Sequence, residues 1–167
     1  MADCIELLWR TALVGVGATA CMDLWSAVRK RLFGVASLDY ALVGRWVGHW
    51  RHGQFRHPAI SKAKPQPCER ALGWGVHYLS GMALAALPLL VRGVDWLRQP
   101  SLAVALGVGL GSVVLPFLVM QPAFGFGMAA RLSAKPWAAR WRSATTHLSF
   151  GLGLFIAASA VSVWLPL

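Results

Sequence analysis

The chain has 167 residues, 57% of them hydrophobic and 13% charged, with a formal net charge of +10. Soluble domains carry about 25% charged residues, so this composition excludes an ordinary soluble fold. Nine tryptophans and seventeen glycines point to a helical membrane protein, where Trp gathers at interfaces and Gly lets helices approach closely.

A membrane span needs about 20 mostly apolar residues. Four segments qualify, at roughly 8–30, 71–91, 101–120 and 143–165. The first contains "VGATACMDLW" (Val16 to Trp25), which raises two questions. Ala18-Thr19-Ala20 before Cys21 imitates a processing site. However, Asp3 and Glu6 precede Arg10, so this stretch does not read as a basic n-region, and the apolar core from Thr11 to Gly17 is short. The expectation is an uninterrupted helix packed through small residues. The second question is Asp23, an acid inside an apolar span.

The segment 31–70 is more than a linker. In "SLDYALVGRWVGHW" (Ser37 to Trp50), Leu38, Leu42, Trp46 and Trp50 recur at helical spacing, with Val43 and Val47 alongside. This predicts a short interfacial helix, capped by Ser37 or Asp39, with Arg45 and His49 off the apolar stripe. "RHGQFRHPAI" follows, placing His52 and His57 among arginines.

Pro88 and Pro116 are expected to kink the second and third spans. The third, "SLAVALGVGLGSVVLPFLVM", is uncharged. Between it and the fourth lies the segment 121–142, with Gln121 and Pro122 first, Gly125 and Gly127 to turn the chain, and Arg140 and Arg142 before the last span. A glycine turn beside arginines can cradle a phosphate, but no P-loop and no GxGxxG motif is present. Cys4, Cys21 and Cys68 are isolated and imply neither a disulfide framework nor a zinc site.

The basic residues set direction. Nine Lys/Arg lie between Arg29 and Arg70, and four more at Arg131, Lys135, Arg140 and Arg142. Only Arg10, Arg92 and Arg98 lie on the other side. Charge placed this way explains topology and does not call for nucleic acid. The expected fold is all-α: one membrane domain of four transmembrane helices in a bundle, both termini outside, with cytoplasmic loops 31–70 and 121–142.

At about 1.5 Å rise per residue, Asp23 lies roughly 9 Å from the cytoplasmic end of the first span. His77 lies roughly 9 Å into the second and His147 roughly 6 Å into the fourth, with Gln121 ending the third. Asp23, His77, His147 and Gln121 therefore form one expected polar layer. Ser26, Ser80 and Thr146 are nearby hydroxyls. A buried Asp costs about 2.5–3.5 kcal/mol on insertion scales, and an interhelical hydrogen bond returns only about 0.6 kcal/mol. That imbalance favours a working site over helix pinning. Arg45, His49 and His57, with Glu69 at the foot of the second span, are candidates for a cap, and anionic lipid head groups are natural partners of this basic belt.

"GATACMDLW", "DYALVGRWVGHW", "FRHPAI", "ERALGWGVHYLSG", "QPAFGFGMAAR" and "RSATTHLSFGLGL" together resemble the DUF2938 family of small bacterial integral membrane proteins. The resemblance covers nearly the whole chain. It implies a multi-span protein of the bacterial inner membrane and assigns no activity. Three readings of the polar layer stand side by side. One is proton-coupled transport or binding of a small ligand, since Asp and His within a membrane can carry protons and His titrates near neutral pH. Another is a redox protein, with His77 and His147 ligating haem, or Asp23, His77 and His147 holding a divalent metal. The last is a non-catalytic assembly subunit in a homo-oligomer or beside a membrane partner.

Overall fold

The computed structural model describes residues 2–165, and among these the chain is helical, with no strand. Four helices are long and apolar enough to cross a membrane: Cys4–Phe33, Glu69–Arg92, Leu102–Ala123 and Pro136–Trp164. Large apolar side chains stand exposed along them, including Leu24, Leu79, Leu90, Leu118 and Ile156. Apolar surface of this extent suits a lipid environment.

The secondary elements run α1 (Ala2–Phe33), α2 (Tyr40–His49), α3 (Glu69–Leu84), α4 (Leu87–Arg92), α5 (Asp95–Arg98), α6 (Leu102–Gly111), a π-helical turn (Leu115–Met120), α7 (Gln121–Ala123) and α8 (Pro136–Trp164). The second expected span breaks after Leu84, just ahead of Pro88 near the start of α4. Pro116 lies in the π turn of the third. Both follow from proline's missing N–H and its clash with the preceding turn. The fourth helix begins at Pro136, not near 143, because proline suits the first helical position. Arg140 and Arg142 thus sit in the helix, not in the loop.

The chain packs as two compact units. The first comprises Met1–Ala36, Tyr78–Ser112 and Thr146–Leu167. Its core is Val14, Ala18, Met22, Trp96, Leu97, Phe150 and Leu154 with alanines between them. Gly109 and Gly151 let α6 and α8 touch backbone to backbone, and a β-carbon on either would collide with the opposite chain. Ala18, inside the "ATAC" stretch, is fully buried, and a β-carbon at Gly153 of α8 would meet its carbonyl oxygen at 2.8 Å.

The second unit comprises Ser37–His77 and Val113–Thr145. Val43, Ile60, Ala123 and Phe124 form its core, flanked by Tyr40, Leu42, Trp46 and Val76. Asp39 caps α2 by accepting the Ala41 N–H at 3.0 Å. The expected apolar stripe does not wholly define the buried face of α2. Leu38 and Trp50 are exposed, whereas Gly44 and His49 are buried. The reason is close approach: Gly44 lies against Glu69 and Gly73 of α3, so the helix seats on its glycine side.

Candidate functional site

The first unit holds Asp23 and His147. Asp23, half-buried on α1, accepts a hydrogen bond from the Tyr78 hydroxyl of α3 at 3.1 Å. His147 of α8 meets the Ser112 hydroxyl through Nδ1 at 2.7 Å, and Ser112 Oγ donates to the Gly109 carbonyl at 2.6 Å. A serine has one hydroxyl hydrogen. With that hydrogen on Gly109, His147 Nδ1 donates to Ser112 Oγ; with it on His147, Nδ1 accepts, so the ring tautomer selects between the two bonds. Nearby, buried Arg29 donates to Thr146 Oγ1 at 2.6 Å. With Ala18 facing Gly153 and Arg29 bonding Thr146, Asp23 lies within about one helical turn of the level of His147.

The second unit holds His77 and Gln121. The Tyr40 hydroxyl lies 2.9 Å from His77 Nε2, and the two rings stack with centroids 4.2 Å apart. Gln121, 6% exposed, donates from Nε2 to Ser143 Oγ at 3.3 Å, and its Oε1 has no hydrogen-bond partner among the described residues. Tyr78, Tyr40 and Ser112 are the partners that sequence reasoning missed. Two of them are tyrosines flanking or facing His77, and a tyrosine within an apolar span is a usable signal because a buried phenol seeks a partner.

The expected cap residues form two connected pairs. Arg45 and Glu69 make a two-point ion pair at 2.8 and 2.9 Å. The same arginine reaches the carbonyls of Ser61 and Ala63, each at 3.3 Å, fixing the turn after Ala59. Glu69 keeps Arg45 protonated beyond its ordinary range, chiefly through this hydrogen bond. The His49 and His57 rings meet edge to face, with centroids 4.9 Å apart and planes at 65°. His49 Nε2 is held by the Lys64 carbonyl at 3.0 Å and lies 3.2 Å from Gln66 Nε2. His57 is 4% exposed, and its Nε2 has no hydrogen-bond partner among the described residues. Burial, reinforced by His49, pushes its pKa below the ordinary value. His49, His57, Gln54, Lys62 and Lys64 line a pocket of about 350 Å³.

The glycine turn is formed: Gly125 and Gly127 both take positive φ, at 91° and 69°. Its arginine neighbour Arg140 is committed to the Ala129 carbonyl at 2.8 Å. Among the described residues no group of three or more His, Cys, Asp or Glu side chains is placed to hold a metal ion.

Four apolar helices, each long enough to cross a bilayer, are the mark of a multi-pass membrane protein. The chain belongs to DUF2938, a family described as proteins of unknown function, whose model matches residues 12–161. No curated protein and no solved structure matches the chain.

Proposed function

We propose that this is a multi-pass protein of the bacterial cytoplasmic membrane, with both termini outside, that couples passage or binding of a small ligand to protonation of Asp23 and His147. The observation that carries this reading is the Tyr78–Asp23 hydrogen bond at 3.1 Å inside an apolar unit. It leaves an acid within the membrane beside a donor whose proton is exchangeable. Ionisable groups at such depth are costly, and they mark proton and substrate paths. His147, within about a turn, supplies a second proton-exchanging group through the Ser112 hydroxyl. The concentration of Lys and Arg in 29–70 and 121–142 supports the orientation.

The test is proton entry into liposomes carrying the protein and an internal pH dye, after an external acid step. Wild type should acidify the interior faster than Asp23→Asn, with His147→Gln intermediate. Equal rates for wild type and Asp23→Asn sink the reading.

A second reading, an assembly subunit in which these bonds only pin helices, is favoured by the backbone contact of Gly109 with Gly151. It expects Asp23→Leu to preserve both fold and cellular phenotype.

A further inference from the structure

His57 is a buried imidazole whose Nε2 has no hydrogen-bond partner among the described residues. Leaving a buried polar atom unpaired costs about 1–3 kcal/mol, so such an atom in a well-packed place calls for a partner, whether water, an ion or a ligand. The place is well packed. The His57 backbone N–H donates to the Ala123 carbonyl at 2.8 Å, and Ile60 N–H donates to the Phe124 carbonyl at 3.2 Å. Gly125 lies against Pro58 so closely that no β-carbon fits there. Arg45 ties down the turn that carries Lys62 from the other side. The ring is thus held in position before any ligand arrives.

The charge around the pocket has one sign. Lys62 and Lys64 line it with exposed side chains, neither in an ion pair among the described residues. His49 lines it too, and no acidic residue does. Glu69, the carboxylate bonded next to this turn, is taken by Arg45. A cation would meet repulsion here. Lysine acts as a compact point charge suited to phosphate, whereas carboxylates are typically gripped by an arginine fork, and the arginine nearest the turn is already engaged. The volume falls at the lower end of the range for small-ligand pockets, about 300–1,000 Å³. It therefore has room for more than a bare phosphate.

We infer that this pocket of the second unit is a binding site for a phosphate-bearing ligand, with His57 Nε2 as the buried hydrogen-bond donor and Lys62 and Lys64 as the cationic rim. Either a soluble phosphorylated molecule or a lipid head group presents that chemistry. The inference is independent of the Asp23 reading, because it uses none of the same residues.

The experiment follows thermal unfolding of the full chain in detergent, in millimolar inorganic phosphate against chloride of equal ionic strength. A parallel series uses phosphatidylcholine nanodiscs with and without phosphatidic acid. Wild type should gain several degrees from phosphate, from phosphatidic acid or from both, and the series that responds identifies the source. The double variant Lys62→Ala/Lys64→Ala should unfold in chloride as wild type does, since both side chains are exposed, and bind at least tenfold more weakly. The His57 ring resonances should move with phosphate in wild type while those of exposed His52 stay in place. No gain in either series overturns the proposal. So does an equal gain in the double variant, or a still His57 resonance under a saturating response.

Discussion

Arg45 and Glu69 are joined at two points, Nε to Oε2 at 2.9 Å and Nη2 to Oε1 at 2.8 Å, with both side chains largely shielded from solvent. The fork geometry is specific to arginine. Arg45→Lys keeps the charge but loses the second bond and the reach to the Ser61 and Ala63 carbonyls. We expect it to lower stability by about 1–3 kcal/mol, less than a fully buried pair because some screening remains. Chemical unfolding of the two proteins measures this. The hydrogen bond to Glu69 raises the Arg45 pKa beyond its ordinary range. A raised folded-state value means the stabilisation is complete below the unfolded pKa and fades only in strong base. Arg45 should therefore contribute no slope to stability between pH 6 and 9.

His57 should contribute a slope of the opposite kind. Its folded-state pKa is depressed by burial and by His49. The unfolded chain then takes up a proton near the ordinary pKa of about 6.5 while the folded chain does not. Stability is full above that value and falls as pH drops through it toward the lower folded pKa. In phosphate-free buffer, unfolding midpoints should decline from pH 7.5 to 5.5. His57→Phe, which keeps an aromatic ring in place, should flatten that decline.

The glycines of α6 separate packing from propensity. A β-carbon at Gly109 would strike Gly151, whereas nothing lies within 4 Å of one at Gly107. Gly109→Ala should destabilise by about 1–3 kcal/mol through overpacking. Gly107→Ala should be neutral or slightly stabilising, since Ala is the better helix former by about 1 kcal/mol. Both are read from detergent unfolding of the same helix. Equal effects would show that α6 does not approach α8 as described.

Tyr78 and Asp23 should be coupled. Tyr78→Phe and Asp23→Asn, alone and combined, form a cycle whose interaction energy should be about 0.6 kcal/mol, the usual scale for such bonds within membranes. Additive effects would show that the hydroxyl and carboxylate do not meet.

His147 gives a spectroscopic prediction. With the Ser112 hydroxyl directed to the Gly109 carbonyl, His147 carries a proton at Nδ1. Nitrogen NMR of labelled protein should show that tautomer. Ser112→Ala should release the ring toward the alternative form.

The spans were readable from sequence because apolar runs of this length have few other uses. The expected polar layer of Asp23, His77, His147 and Gln121 rests on depth, which follows from topology and helical rise alone. Depth says nothing about lateral neighbours, and the hydroxyl partners Tyr78, Tyr40 and Ser112 could not be chosen on that basis. Thr146, one of the hydroxyls expected near the layer, accepts a hydrogen bond from Arg29. The apolar stripe of α2 ranked Leu38 and Trp50 above His49, because periodicity weighs side chains and does not register that Gly44 sets the contact with Gly73. The pocket around His57 was the least readable part. Its walls come from a non-repeating stretch between His49 and Lys64, where neither period 3.6 nor period 2 applies.

The π turn at Leu115–Met120 closes with the Gln121 N–H on the Pro116 carbonyl, one residue wider than an α-helical turn. A surplus residue works as a phase shift. Each residue of an α-helix advances about 100° around the axis, so every side chain after the turn is rotated by about that angle from where a regular helix would leave it. Gln121 reaches Ser143 in this rotated frame. The third hydrophobic segment therefore carries two azimuthal registers in one apolar run. Deleting a single residue between Phe117 and Met120 would merge them, turning Gln121 away from α8 while leaving length and hydropathy almost unchanged.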